Sequence, residues 1–468
     1  HLGGRVTKLN NKKKRILLAF TRYSVRYLKY HTLLGILLMS YYTISKLIFD
    51  KVFTTLPVII DELYHLPQGM LYCKGNFSYW DPKITTLPGL YLISSLISPF
   101  FPCNTYNLRY VNLIASCINL LLFSSLLQYI YGKNHDNPLK IVLQAVNLTI
   151  LPPLYFFSHV YYTDTLSMMF LLAYTRLCIG NSNKFFILVF GLCCVLMRQT
   201  NIAWIFMIFM HRNIDVFIKS SRVYGNKYLN MLKLQKKSLL LLSWSDFLFI
   251  ATQLILLVLF ICFVVFNNGI VLGDRSAHQA SIHVPQIFYF LLFYGVFGLP
   301  YVLAKLKSTL KMLFSNKILV VLLVGVFAFF VHYNTVIHPY LLADNRHYTF
   351  YIWNRWYGKY NNAIYYTIPI YVFLIFNLYD NLKNQNCISF LIPYSVSTFT
   401  VLTLQRMIEV RYFLVPYIIL RLRFVRPSYK IVLMEFVWYM LLNVVTIYIF
   451  FTKEIYWKDF DYAQRIIW

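Results

Sequence analysis

Long apolar runs recur along this chain, separated by short polar stretches. A bilayer core of about 30 Å takes roughly 20 apolar residues per helical crossing. Runs near that length lie at 32–49, 108–131, 139–158, 164–181, 246–266, 286–304, 317–337, 361–379, 388–408 and 430–451. Shorter apolar pieces at 185–198, 200–211 and 411–424 read as tilted, broken or paired half-spans. The piece 86–101, with Pro88, Pro99 and the adjacent Pro102, predicts a helix lying on the membrane surface. The pattern therefore predicts an all-α polytopic membrane protein with about 11–14 transmembrane segments.

Composition excludes the other broad classes. Of 468 residues, 59% are hydrophobic and 13% charged, whereas soluble domains carry roughly 45–50% apolar and about 25% charged residues. The apolar content also excludes intrinsic disorder. Forty Tyr and forty Phe suit a chain that lives in lipid and at its interfaces.

The charge is one-sided, with 44 Lys+Arg against 16 Asp+Glu and a formal net charge of +28. A nucleic-acid partner is not expected, because the bases fall in short runs between apolar stretches. They cluster in 1–31, which holds Arg5, Lys12, Lys13, Lys14 and Arg15 but no acid, and in 212–245, 305–317 and 421–430. Placing all four on the cytoplasmic side satisfies the positive-inside rule. The crossings then close only if 86–101 does not cross. Residues 1–31 become a basic cytoplasmic N-terminus, and 32–468 a single transmembrane domain in contact with membrane lipids. The loops 50–107, 159–164, 267–285 and 338–360, with the neighbourhood of 409–411, share the opposite, luminal face.

The basic N-terminal run precedes a span too long for a signal-peptide core and lacks a small-residue cleavage site, so no cleavable signal is expected. Cys73 and Cys103 fall on the luminal face, where a disulfide and free thiols both remain open. Neither a CxxC pair nor an HExxH motif supports a zinc site. Asn76-Phe77-Ser78 is a luminal glycosylation sequon, and Asn147-Leu148-Thr149 another inside a predicted span.

With only 16 acids, their positions are informative. Asp61, Glu62, Asp81, Asp164, Asp274, Asp344 and Glu409 all fall on the luminal face or at span ends facing it. They occur with His, Arg and aromatic residues in DELYHLPQ (61–68), WDPKITTLPGLY (80–91), YYTD (161–164), NNGIVLGDRSAHQASIHVPQ (267–286) and YLLADNRHYTFYIW (340–353). Any one such loop is an ordinary polar loop, but five converging on one face point to a site at the membrane–lumen boundary. Glycosyl transfer from a lipid phosphate suits it. A carboxylate takes the acceptor hydroxyl proton and cations hold the phosphate leaving group.

These motifs, together with RQTNIAW (198–204) and RYFLVPY (411–417), run in one order through nearly the whole chain. In them the sequence resembles the family of endoplasmic-reticulum dolichyl-phosphate-glucose-dependent α-1,2-glucosyltransferases, which add the terminal glucose to a dolichyl-diphosphate-linked oligosaccharide in N-glycan assembly. The resemblance implies a GT-C-type helical bundle with a catalytic first luminal loop, in a multi-pass endoplasmic-reticulum protein. It also implies dolichyl phosphate glucose as donor, the lipid-linked oligosaccharide as acceptor, inversion at the sugar, and no metal or other cofactor. Two departures are visible. Asp164 stands where Glu is expected, and Asn267-Asn268-Gly269 where Asn-Gly-Gly is.

On this reading Asp61 is the general base and Glu62 the alternative base or its orienting group. Asp61 also suits a helix N-cap. His65, four residues on, is a sugar or carboxylate partner if 61–68 is helical. Arg346 and His347 are candidates for the donor phosphate because Arg offers a planar fork; a salt bridge from Arg346 to Asp344 is the plainer alternative. Arg275 and Arg198 join them as phosphate candidates, although Glu409 would equally serve as a partner for Arg198. Trp80, Asp81, Asp274, His278 and Asp344 are candidates for sugar contact, and Trp80 also reads as an interfacial anchor. A dolichyl-phosphate-mannose-dependent transferase and a polytopic transporter are the competing functions. A transporter would set its ionisable groups near the bilayer midplane.

Overall fold

The computed structural model describes residues 2–132, 137–223, 243–273, 281–360, 362–383, 388–424 and 426–468. Asp274, Arg275 and His278 lie outside the described residues. Within them the chain is helical and contains no β-strand, only the isolated bridges Ile455–Gln464 and His347–Ile467.

Among the described residues, seven helices are long and apolar enough to cross a membrane: Val25–Thr55, Thr105–Tyr131, Gln199–Ile218, Trp244–Asn267, Lys317–Asn334, Ala363–Leu382 and Tyr429–Thr452. Shorter apolar helices cover Lys184–Met197, Pro285–Phe297 and Ile388–Thr403. Several apolar runs are broken where their residues dictate it. The run at 139–158 divides into Pro138–Thr149 and Pro152–Phe157, because Pro152 and Pro153 cannot donate backbone hydrogen bonds to a continuing helix. The run at 286–304 breaks at Gly298 into Pro285–Phe297 and Leu299–Ala304. The piece at 86–101 forms the nine-residue helix Gly89–Ile97. At 1.5 Å per residue it is far too short to cross, and its C-terminal end exposes Leu96, Phe100 and Phe101.

The core is a continuous cluster of buried aromatic and aliphatic side chains that also encloses an ion pair. Arg421, expected among the cytoplasmic bases, is fully buried: its Nε and Nη2 donate to Glu435 at 2.6 and 2.7 Å. Asn147 Nδ2 and the Tyr301 hydroxyl also donate to Glu435. The Asn147 sequon is thereby enclosed in the helix bundle, whereas Asn76 is exposed.

At one end of the bundle the connecting segments bond to one another. Gln199 Nε2 donates to the carbonyl of Thr85, as does the backbone N–H of Leu272. The His283 N–H donates to Thr403 O at 2.7 Å, and Gln286 Nε2 to the carbonyls of Gln405 and Met407. Glycine sets the closest approach. Gly273 has φ +64, and a Cβ there would fall 2.4 Å from Pro82 O. Asn268 ends its helix in the left-handed region, at φ 52, a position Asn tolerates. Cys73 and Cys103 form a disulfide that closes the first of these segments.

Candidate active site

The first connecting segment enters the site through a strained turn. Ile60 has φ +45, a conformation that costs a β-branched residue of order 1–3 kcal/mol. The Tyr162 hydroxyl holds the turn: it donates to Ile59 O at 3.2 Å and accepts from the Asp61 N–H at 3.0 Å. Asn112 Nδ2 fixes Tyr162 in turn by donating to the carbonyls of Val160 and Tyr162.

Asp61 occupies the N-cap position of the helix Glu62–Cys73, yet its side chain makes no cap bond. Its carboxylate instead accepts from Arg411 Nη2 at 3.0 Å, and its side chain remains 39% accessible. Dense surroundings work to raise its pKa, but the Arg411 guanidinium beside it, helped by His65 and His347, holds it below the ordinary carboxylate value.

Glu62, the adjacent acid, is placed quite differently. It is wholly buried, and Arg109 grips both its oxygens at 2.9 and 2.6 Å. The backbone N–H groups of Ile59 and Tyr161 donate to the same carboxylate. A group sealed and saturated in this way cannot accept a proton from a substrate, so the role of alternative base does not fit Glu62. It clamps the turn that presents Asp61.

Arg411 is the hub of the site. It bonds Glu409 at 2.6 Å as well as Asp61, and its Nη1 lies 3.7 Å from Asp164. Asp164 also pairs with Arg198, which settles the partner expected for Arg198 as Asp164 rather than Glu409. Of these groups Asp164, Arg198 and Arg411 line a cleft, together with Asn201, Trp204 and Gln405. Three carboxylates and two guanidiniums are thus linked in one network through Arg411 and Asp164, and each arginine keeps N–H donors beyond those it gives to carboxylates.

Other residues singled out in the sequence are engaged elsewhere. The fork of Arg346 is taken by Asp344, at 2.9 and 2.8 Å. This is the salt bridge that the sequence offered as the alternative to a phosphate contact for Arg346. Residues 344–347 are not helical, so the two-residue spacing allows a bidentate pair. Trp457 lies 4.0 Å from the Arg346 guanidinium, and Gln464 accepts from it at 3.3 Å. The Ile467 N–H donates to Arg346 O, and His347 Nδ1 donates to Trp468 O at 3.2 Å. Trp80 donates its indole N–H to Ile84 O at 3.1 Å and packs against Tyr91, so it builds the loop instead of offering a free sugar platform. Asp81 accepts from the Lys83 N–H in a tight turn.

Fold and site together define a polytopic, all-α membrane protein whose loop-bearing end presents an accessible carboxylate beside two arginines. Residues 56–422 match the model of the DIE2/ALG10 family, and the chain belongs to that family. It is 39% identical over 446 residues to the Dol-P-Glc:Glc(2)Man(9)GlcNAc(2)-PP-Dol alpha-1,2-glucosyltransferase of Drosophila melanogaster, covering 92% of this chain and 98% of the relative. Proteins of the same name from Homo sapiens (35% identity, 87% and 93% covered) and Arabidopsis thaliana (28%, 87% and 94%) are also similar. No solved structure matches.

Proposed function

We propose that this protein transfers glucose from dolichyl phosphate glucose to the diglucosylated dolichyl-diphosphate oligosaccharide, forming an α-1,2 linkage. The substrates follow from the names of relatives that align along nearly the whole chain. The chemistry is carried by one observation: the accessible carboxylate of Asp61 accepts from Arg411, which lines a cleft together with Arg198.

Asp61 takes the proton of the acceptor 2-hydroxyl as that oxygen attacks the anomeric carbon of the glucosyl phosphate. The new C–O bond forms while the bond to the phosphate oxygen breaks, and its electron pair leaves with dolichyl phosphate. A single displacement converts a β-linked donor into an α-linked product, and needs one base rather than the carboxylate pair of a retaining glycosidase. Arg411 and Arg198 are the cations for the leaving phosphate. His347 is near enough for its charge to act on Asp61 and remains a third candidate.

The site faces the lumen of the endoplasmic reticulum on this reading. Two features support that side: the basic runs of the opposite loops, and the Cys73–Cys103 disulfide, which belongs in an oxidising compartment. The reading is tested with purified protein given dolichyl phosphate glucose and dolichyl phosphate mannose in parallel. Transfer from the glucose donor alone is expected, and exclusive use of mannose would overturn it.

A further inference from the structure

Resting on the transferase reading above, we infer that His65 presents its Nε2–H as a fixed hydrogen-bond donor to a substrate oxygen held against Asp61, either a phosphate oxygen of the donor or a hydroxyl of the acceptor. His65 lies one helical turn beyond Asp61, its backbone N–H donating to Asp61 O at 3.1 Å. His65 is 9% exposed, and the charged groups acting on it are Asp61, Arg411, Asp164 and Arg198, the last three of which line the cleft.

The tautomer follows from Tyr91. The Tyr91 hydroxyl is 2.5 Å from His65 Nδ1, and Tyr91 is fully buried on the helix Gly89–Ile97. Among the described residues that hydroxyl has no other partner, so its proton has one acceptor available, Nδ1. Burial keeps the phenol protonated, its pKa raised well above the usual value. Burial likewise pushes His65 down to about 4, Asp61 opposing and Arg411 reinforcing the shift, so the ring is neutral at physiological pH. A neutral ring that accepts at Nδ1 carries its proton on Nε2.

Nε2 itself has no hydrogen-bond partner among the described residues, and it is not one of the buried polar atoms sealed from the surface. It is thus a donor with a defined proton, no protein acceptor and an open side, next to the carboxylate that takes the acceptor proton. Gly89 supports the arrangement. A Cβ there would fall 2.5 Å from Leu196 O, so only glycine lets the Tyr91 helix pack this closely.

Two substitutions separate the halves of the ring. In His65→Gln the amide NH₂ falls where Nε2 was, keeping the outward donor and losing the acceptor for Tyr91. In His65→Asn the amide oxygen falls where Nδ1 was, keeping the Tyr91 bond and losing the outward donor. Transfer is expected to stay within about 3-fold of wild type for Gln and to fall roughly 10- to 100-fold for Asn, the range of one hydrogen bond to a neutral or charged oxygen. A loss confined to the KM for the lipid-phosphate donor identifies the phosphate as the partner, and one confined to the acceptor KM identifies a sugar hydroxyl. If Asn retains as much activity as Gln or more, His65 serves only to hold Tyr91 and the inference is overturned. Wild-type turnover in the same preparation tests the transferase reading, whereas the order of the two variants tests His65.

Discussion

Asp61 and Arg411 stand 350 positions apart in the chain and meet in a 3.0 Å hydrogen bond. The arginine keeps the carboxylate ionised where burial alone would favour its neutral form. Its own charge is shared with Glu409 and Asp164, so Asp61 is held without being sealed.

Removing the proposed base leaves the scaffold intact. Asp61→Asn retains an oxygen for Arg411 and the backbone bond to Tyr162. Transfer is expected to fall by roughly 10²–10⁴-fold, the usual contribution of a positioned base, with thermal stability in detergent close to wild type. Full activity in this variant would exclude Asp61 as base.

The pH dependence of the Asp61–Arg411 pair has a definite sign. A carboxylate whose folded pKa lies below its unfolded value of about 3.9 contributes stability above that value and loses it as pH falls through the folded one. The pair is therefore intact throughout the neutral range. The acid limb of kcat/KM attributable to Asp61 is expected below the ordinary carboxylate range in the wild type. In Arg411→Gln, burial is opposed only by His65 and His347 and the limb moves to higher pH, alongside a loss of roughly 10²-fold from the missing phosphate contact. An unmoved acid limb in that variant would separate Arg411 from the ionisation of the base.

Glu62 and Arg109 belong to the architecture. Breaking a buried ion pair by removing one partner typically costs about 3–5 kcal/mol, so Arg109→Met is expected to lower the yield and melting temperature of folded protein. Glu62→Gln should do the same, in contrast to Asp61→Asn beside it. Circular dichroism melts of the three purified variants make the comparison, and equal stability would contradict the assignment.

Cys73 and Cys103 report the side of the membrane. Neither should react with a maleimide in intact microsomes until a reductant is added, after which both label. Labelling without reduction would argue against the disulfide and remove that support for a luminal site.

Much of the fold was legible because the bilayer imposes one requirement on every span. The apolar runs map onto helices, and the prolines around 86–101 bound a helix of nine residues. Asp61 stood out as an acid in an acid-poor chain. Its neighbour could not be told apart from it, since Asp61 and Glu62 differ in burial rather than in chemistry and burial depends on Arg109, 47 positions away. The bond of Arg411 to Glu409, two residues away, is local, whereas its reach to Asp61 is a tertiary fact. The Arg346–Asp344 salt bridge was open to the sequence, but nothing local announced that Trp457 and Gln464 would meet the same guanidinium.

Ile467 packs in the same buried cluster as Ile59 and Tyr162, at the turn that presents Asp61. During synthesis at about 5–20 residues per second, roughly 20–80 s separate the emergence of these two isoleucines. Until that interval closes the turn lacks part of its apolar backing, and for most of it Asp61 lacks its arginine as well. Competence for chemistry therefore waits on a segment made long after the turn it supports, and a chain that stops short of Ile467 is threaded through the membrane without an assembled centre.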